Sequence, residues 1–150
     1  MARALADPTN GNDIFLGGGT SRNAKGSACP HLVVDDEKDI ANLLKIELDH
    51  TGFATEVAYR PSEALEKFRA GRFDLLVVDV KMPGMDGFAL YEKLSGLDPA
   101  IRVCFLTAFS GLSDVVRQRF PRLQEGCVIE KPATRQKVLR AVAKALERGA

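Results

Sequence analysis

Tryptophan is missing from this 150-residue chain, tyrosine occurs twice, histidine twice, and aromatic residues make up only 7% of it. No apolar run approaches the roughly 18 residues a membrane-spanning helix requires, so nothing here crosses a bilayer. Residues Met1 to Ala6 lack the long apolar segment of a secretory signal. Cysteine is scarce. Cys29, Cys104 and Cys127 are an odd number without metal-ligand spacing, and two lie in apolar runs, so they read as reduced core thiols of a cytoplasmic protein. Excess charge of one sign is also missing, at a net +1. That balance hides an asymmetry: residues 30–101 carry 14 acids against 8 bases, and residues 102–150 carry 4 acids against 10 bases. The bases of the second part, among them Arg117, Arg119, Arg122, Arg135, Lys137, Arg140, Lys144 and Arg148, are spread over helical stretches without interleaved aromatics. They suit a solvated face, or a docking face for an acidic protein partner, better than direct contact with nucleic acid. What is present, 45% hydrophobic and 27% charged residues, is the composition of one ordinary globular domain that needs no staple to fold.

Residues 1–29 hold 5 of the 13 glycines, few long apolar side chains and no sustained periodicity, and read as a flexible tail. Its Gly17-Gly18-Gly19 and Lys25-Gly26-Ser27 do not make a phosphate loop, which needs Gly-Lys-Ser/Thr after a strand and opening a helix. From His31 onward the pattern alternates. A short apolar run, 31–34, precedes Ile40, Leu43, Leu44 and Leu48, an inward helical stripe that Gly52 can end. A strand is predicted over 53–58, then a helix opened by Pro61 and Ser62, with Ala64, Leu65 and Phe68 inward and Gly71 as its stop. The near-continuous apolar run 73–78 suits a parallel strand covered on both faces. A short helix over 88–94, a strand over 101–106, a helix over 112–120, a strand over 127–129 and a helix over 134–147 complete the chain. The last helix turns Val138, Leu139, Val142 and Leu146 inward. Prolines fall only in the tail or at junctions, which supports the boundaries. Five strands alternating with five helices predict a doubly wound α/β sandwich, whose chemistry gathers at the carboxyl ends of the strands.

One step past the strands stand Asp35-Asp36, Asp79, Thr107 and Lys131, whereas the second strand ends in unreactive Ala58-Tyr59. Singly, each has a dull explanation as a cap, a turn residue or a surface residue. Jointly they place three carboxylates, a hydroxyl and an ammonium on neighbouring strand ends. Carboxylates so close repel, and a hard divalent cation such as Mg²⁺, which takes one or two carboxylates plus phosphate oxygens, relieves that repulsion. One carboxylate could then act as a nucleophile toward phosphorus, with metal and lysine clamping the transferring oxygens.

The segments Leu32-Val33-Val34-Asp35-Asp36-Glu37, Asp79-Val80-Lys81-Met82-Pro83-Gly84-Met85-Asp86-Gly87, Thr107-Ala108 and Lys131-Pro132 resemble the receiver domain of two-component response regulators. The resemblance covers about 30–148, which makes 1–29 a tail and 30–150 a receiver domain. It implies a flavodoxin-like parallel sheet of strand order 2-1-3-4-5. It implies Asp79 as phosphoacceptor, attacking a phosphohistidine of a sensor histidine kinase or histidine phosphotransfer protein. Mg²⁺ would be held by Asp36, Asp79 and the backbone carbonyl of Lys81, and by Asp35 mainly through water. Lys131 would pair with phosphoryl oxygens, and Thr107 would move to hydrogen-bond them. Gly84 and Gly87 would shape the loop beneath the acceptor, and Lys131-Pro132 would be a cis peptide.

Two positions depart from the family pattern. Val128 stands where a rotating Tyr or Phe is usual, and its β-branched side chain cannot swing as an aromatic does. Phe109 is the candidate to stand in for that aromatic, and Lys81 and Phe109 occupy the two positions that tune hydrolysis of the acyl phosphate in the family. Ala133 is smaller than the usual apolar residue. His31, His50 and the acidic run from Glu37 read as structural, although Glu37 could order metal-bound water. The alternative is a pseudo-receiver, an interaction module signalling without phosphate. A dehalogenase-type phosphatase would need a second Asp where Lys81 stands, and an FMN binder would need a phosphate loop where Asp35-Asp36 stand. No effector domain is expected within the chain, no direct contact with nucleic acid and no membrane. An unidentified output protein would meet the face of 112–120, 127–129 and 134–147.

Overall fold

Apolar runs four or five residues long have to be covered on both faces, and the fold does this with two layers of helices around one sheet. The computed structural model describes residues 30–50, 52–123 and 128–147. The expectations for the 1–29 tail, Cys29 and Cys127 lie outside the described residues. In chain order the elements are β1 His31–Val34, α1 Lys38–Asp49, β2 Thr55–Ala58, α2 Pro61–Lys67, β3 Leu75–Asp79, α3 Gly87–Leu97, β4 Arg102–Thr107, α4 Leu112–Arg119, β5 Val128–Glu130 and α5 Arg135–Glu147. All pairings are parallel, in the order β2-β1-β3-β4-β5, which is the predicted 2-1-3-4-5.

Side chains alternate across the sheet, as the pleat demands. Leu32, Val34, Leu76, Val78, Val103 and Phe105 pack beneath α2, α3 and α4, together with Ala64, Phe68, Phe88, Leu90, Leu94 and Val116. Val33, Leu75, Val77, Cys104, Leu106 and Ile129 face α1 and α5, against Ala41, Leu44, Leu48, Val138, Ala141, Val142 and Leu146. Cys104 is a buried thiol whose Sγ lies 3.8 Å from the Ala141 carbonyl oxygen. Among the described residues no helix is long and apolar enough to cross a membrane.

Three expectations need correction. Leu43 is not inward but 55% exposed, and the buried stripe of α1 is Ala41, Leu44 and Leu48. Ala41, Leu44 and Leu48 share one face of the helix, and Leu43, one residue before Leu44, is turned roughly 100° from it. Helix α2 ends at Lys67, well before Gly71, because Phe68 leaves in extended conformation. Its last carbonyls are satisfied by side chains that follow: Arg69 donates to the Glu66 and Phe68 oxygens and Arg72 to that of Lys67. Finally, Asp79 and Thr107 are the last residues of β3 and β4 rather than residues beyond them.

The outer edge of β2 is closed by neighbouring side chains. Thr55 N–H donates to Asp49 Oδ1 at 3.1 Å, Tyr59 N–H donates to Glu63 Oε1 at 2.8 Å, and Lys67 Nζ donates to the Val57 oxygen at 2.6 Å. Capping an edge in this way removes a template for strand addition.

His31 opens β1 at 1% exposure, its ring centroid 4.4 Å from that of Phe53, and neither ring nitrogen makes a well-formed hydrogen bond. Burial pushes its pKa down to about 4, with the Pro30 backbone pulling weakly the other way. A folded pKa below the unfolded value of about 6.5 gives stability that is intact above pH 6.5 and lost as pH falls toward 4. His31→Leu should therefore change position relative to wild type with pH. The wild-type chain should lose about 2 kcal/mol more than the variant between pH 7 and pH 5, read by urea unfolding. Parallel losses would show that His31 does not titrate against the fold.

Candidate functional site

Each site residue is delivered by the end of a strand. Asp35 follows β1, where its N–H donates to the Ala58 oxygen at 3.1 Å, and its Oδ1 accepts from Glu37 N–H at 2.9 Å. Asp79 ends β3 in register with Leu106, and Val80 N–H donates to the Leu106 oxygen at 2.9 Å. Lys131 follows β5, its N–H donating to the Thr107 oxygen at 2.7 Å, so the ammonium and the hydroxyl are carried by one backbone tie. The Lys131-Pro132 bond is cis, as expected.

The loop after β3 folds tightly against Asp79. Gly84 adopts φ +87°, a left-handed conformation in which glycine is favoured. Gly87 is needed for a different reason: a Cβ there would lie 2.4 Å from the Asp79 carbonyl oxygen. Gly87 N–H donates to the Val80 oxygen at 2.8 Å, and Asp86 caps α3 by accepting from Ala89 N–H at 2.8 Å. Both glycines thus shape the segment that carries Asp79.

The sequence-predicted residues come together. Asp35, Asp36 and Asp79 each offer a carboxylate oxygen, all within 4.8 Å of one another. Lys131 Nζ lies 3.3 Å from Asp79 Oδ1 and 3.4 Å from Asp35 Oδ2. Asp36, Glu37, Asp79, Lys81, Thr107, Ala108, Phe109 and Lys131 line an open cleft of about 350 Å³. Asp35, Asp79 and Thr107 are buried, while Asp36 is exposed. Thr107 Oγ1 accepts from Phe109 N–H at 3.0 Å. Phe109 is 53% exposed, and Lys81 Nζ sits 5.0 Å above its ring. Val128 is half-buried against the core beneath α3 and α4, in register with Phe105.

Charge in this cleft is not balanced. Desolvation, then the neighbouring Asp35, push Asp79 up to about 6, and Lys131 only partly offsets them. Burial likewise raises Asp35, opposed by the Glu37 N–H and Lys131. Burial alone would lower Lys131, but the charges of Asp35 and Asp79 outweigh it and hold the ammonium firmly protonated. Asp35 Oδ2 is buried without a hydrogen bond. An acidic cluster with an orphaned buried oxygen fits an oxygen-liganded divalent cation such as Mg²⁺. The sequence reading missed one contact: Lys131 Nζ also donates to Glu37 Oε1 at 3.2 Å. Its only trace in the sequence is the third acid of the Asp35-Asp36-Glu37 run.

This sheet with carboxylates and a lysine at its carboxyl edge has known counterparts. The family model for the response regulator receiver domain matches residues 32–143, and the chain belongs to that family. It resembles the transcriptional regulatory proteins ZraR of Salmonella typhimurium, 38% identical over 85 residues, and CreB of Escherichia coli, 42% identical over 78 residues. Those stretches cover 57% and 52% of this chain but only 19% and 34% of the relatives, so the chain spans a minor part of their length. A CheY-like receiver domain protein from Methanospirillum hungatei superposes with TM-score 0.70 at 27% identity, over 81% of this chain and 95% of that one. The response regulator TrrA from Thermotoga maritima, solved in complex with Mg²⁺-BeF, gives TM-score 0.65 at 30% identity, over 78% of this chain and 98% of that one. The chain is therefore a receiver domain of the two-component signalling type.

The strained charge at Asp79 has a measurable consequence. A carboxyl whose folded pKa lies above its unfolded value costs stability that is absent below about pH 4 and complete above about pH 6. In divalent-free buffer, Asp79→Asn should stabilise the fold by about 2 to 3 kcal/mol at pH 7.5. The gain should shrink toward zero near pH 4, as followed by denaturant unfolding. A gain independent of pH would show that the carboxylate is not the strained group.

Proposed function

We propose that this domain is a phosphoacceptor switch that takes a phosphoryl group from a phosphohistidine onto Asp79. The observation that carries the reading is the convergence of Asp35, Asp36 and Asp79 with the Lys131 ammonium at the mouth of one cleft. In the transfer, an Asp79 carboxylate oxygen forms a bond to phosphorus while the P–N bond of the donor imidazole breaks, leaving an acyl phosphate. The donor would be a sensor histidine kinase or a histidine phosphotransfer protein.

Asp36, Asp79 and the Lys81 carbonyl would hold Mg²⁺, with Asp35 acting mainly through water. The ion, when bound, neutralises the phosphoryl oxygens and lets the anionic donor approach an acidic cleft. Lys131 clamps a phosphoryl oxygen, and Thr107, already at the cleft wall, supplies a hydroxyl donor once it turns from Phe109 N–H. Such phosphoryl transfer requires positioning and charge neutralisation above all. The Mg²⁺-BeF complex of the similar Thermotoga protein supports the assignment. The alternative of a phosphate-independent interaction module gains no support from the comparisons.

Output would run through the face of α4, β5 and α5, where Arg117, Arg119, Arg122, Arg135, Lys137, Arg140 and Lys144 lie exposed. That face suits an acidic protein partner. The curated relatives are transcriptional regulators matched over a minor part of their length, so any contact with nucleic acid would belong to another part of such a protein.

Incubation with Mg²⁺ and acetyl phosphate should add one phosphoryl group, seen as a mass increase, and the gain should be abolished by EDTA and by Asp79→Asn. No gain with any donor would overturn the reading. The exposed Phe109, with Lys81 above its ring, stands at the cleft mouth, where it can hinder attacking water. Phe109→Ala should shorten the phosphoryl lifetime by about two- to fivefold, measured after donor removal. An unchanged lifetime would assign that protection elsewhere.

A further inference from the structure

The Lys131 ammonium has three N–H donors and stands among three carboxylates: Glu37 Oε1 at 3.2 Å, Asp79 Oδ1 at 3.3 Å and Asp35 Oδ2 at 3.4 Å. The Glu37 contact meets hydrogen-bond geometry while the other two are ion pairs, so drawing the ammonium onto a phosphoryl oxygen has to break or share the Glu37 bond. The three are not equivalent. Asp35, just past β1, and Asp79, at the end of β3, are buried and fixed to the sheet by backbone hydrogen bonds. The Glu37 side chain is 61% exposed at the rim, where water can replace the lysine at little cost. Yet Glu37 is not loosely placed, since its N–H donates to Asp35 Oδ1 at 2.9 Å and its carboxylate makes the shortest of the three contacts.

The geometry points to Glu37 as a positioning residue that tethers Lys131 in the unphosphorylated site and releases it when the ammonium follows negative charge onto a phosphoryl group at Asp79. The inference rests on the phosphoacceptor reading for its second half only; the tether exists with or without phosphate. Glu37 then acts as a brake. Each phosphorylation event has to break its contact with Lys131, and its carboxylate favours the unphosphorylated arrangement.

Two measurements on the intact chain test this. Lysine acylation by acetic anhydride, followed by mass spectrometry without any phosphodonor, should modify Lys131 about two- to fivefold faster in Glu37→Gln than in wild type. Glu37→Asp, which keeps the charge but is shorter, should show the same rise. With saturating Mg²⁺ and acetyl phosphate, Glu37→Gln should be phosphorylated faster by a similar factor, and this acceleration should vanish in a Lys131→Met background. Unchanged acylation of Lys131 in Glu37→Gln would overturn the tether. Acceleration that persists in Lys131→Met would overturn the brake, because Glu37 would then act on the anionic donor directly. If wild type takes up no phosphoryl group, the phosphoacceptor reading fails while the acylation rates still decide the tether.

Discussion

Negative charge in excess of positive charge, held at the partly dry edge of a rigid sheet, is the condition on which the rest of this domain depends. Asp35 and Asp79 are buried and Asp36 lies beside them, with Lys131 as the ammonium that bridges the buried pair. Burial makes every uncompensated charge expensive, and the upward displacement of both Asp35 and Asp79 expresses that cost. Excess negative charge of this kind is relieved by a proton, which these raised carboxyls hold more readily than free ones do, or by a divalent cation. The tension that destabilises the fold is the same property that suits the cleft to an oxygen-liganded divalent cation.

Charges that repel would separate if their supports could give way, so the frame has to be stiff. It is stiff because each acidic residue leaves a strand buried on both faces. Ladder-like bonds continue past the strand ends, from Asp35 to Ala58, Val80 to Leu106 and Lys131 to Thr107. The loop after β3 adds a steric lock. With Gly87 against the Asp79 carbonyl, nothing larger fits, and α3 begins directly under the acceptor with Asp86 as its cap. The aromatic cluster of Phe88, Tyr91, Phe105 and Phe120, with ring centroids 5.0 to 5.9 Å apart, packs α3 against β4 on the same face of the sheet.

Much of this was legible in the residues alone, for a physical reason. A polar residue directly after a run of four or five apolar ones has to be a strand end, and in a parallel sheet all strand ends of one kind lie together. That brings Asp35, Asp36, Asp79, Thr107 and, past Glu130 on the short last strand, Lys131 to one edge of the sheet without any knowledge of side-chain geometry. Details that depend on neighbours were less legible. A hydrophobic stripe does not say which of two adjacent residues faces in, and in α1 the small Ala41 took the place of Leu43. The end of α2 depended on Arg69 and Arg72 reaching back to carbonyls, which no periodicity records. His31 looked like an ordinary strand start, and only burial shows it as a titrating liability. Glu37 looked like a helix start, because its contact with Lys131 spans 94 positions of chain.

Val128 decides how motion can leave the site. A branched aliphatic side chain with one preferred rotamer, seated against the core beside Phe105, cannot exchange a buried for an exposed position. Movement at the cleft therefore has to pass through groups that are bonded to Thr107. Two are present: Phe109, whose N–H holds the Thr107 hydroxyl, and Lys131, whose N–H holds the Thr107 carbonyl. The first leads to the exposed ring under Lys81 and on toward Gly111, whose left-handed φ of +81° sets the start of α4. The second leads into β5 and α5. A turn of the Thr107 hydroxyl away from the Phe109 N–H would free the loop before α4 while leaving the backbone tie between Thr107 and Lys131 intact.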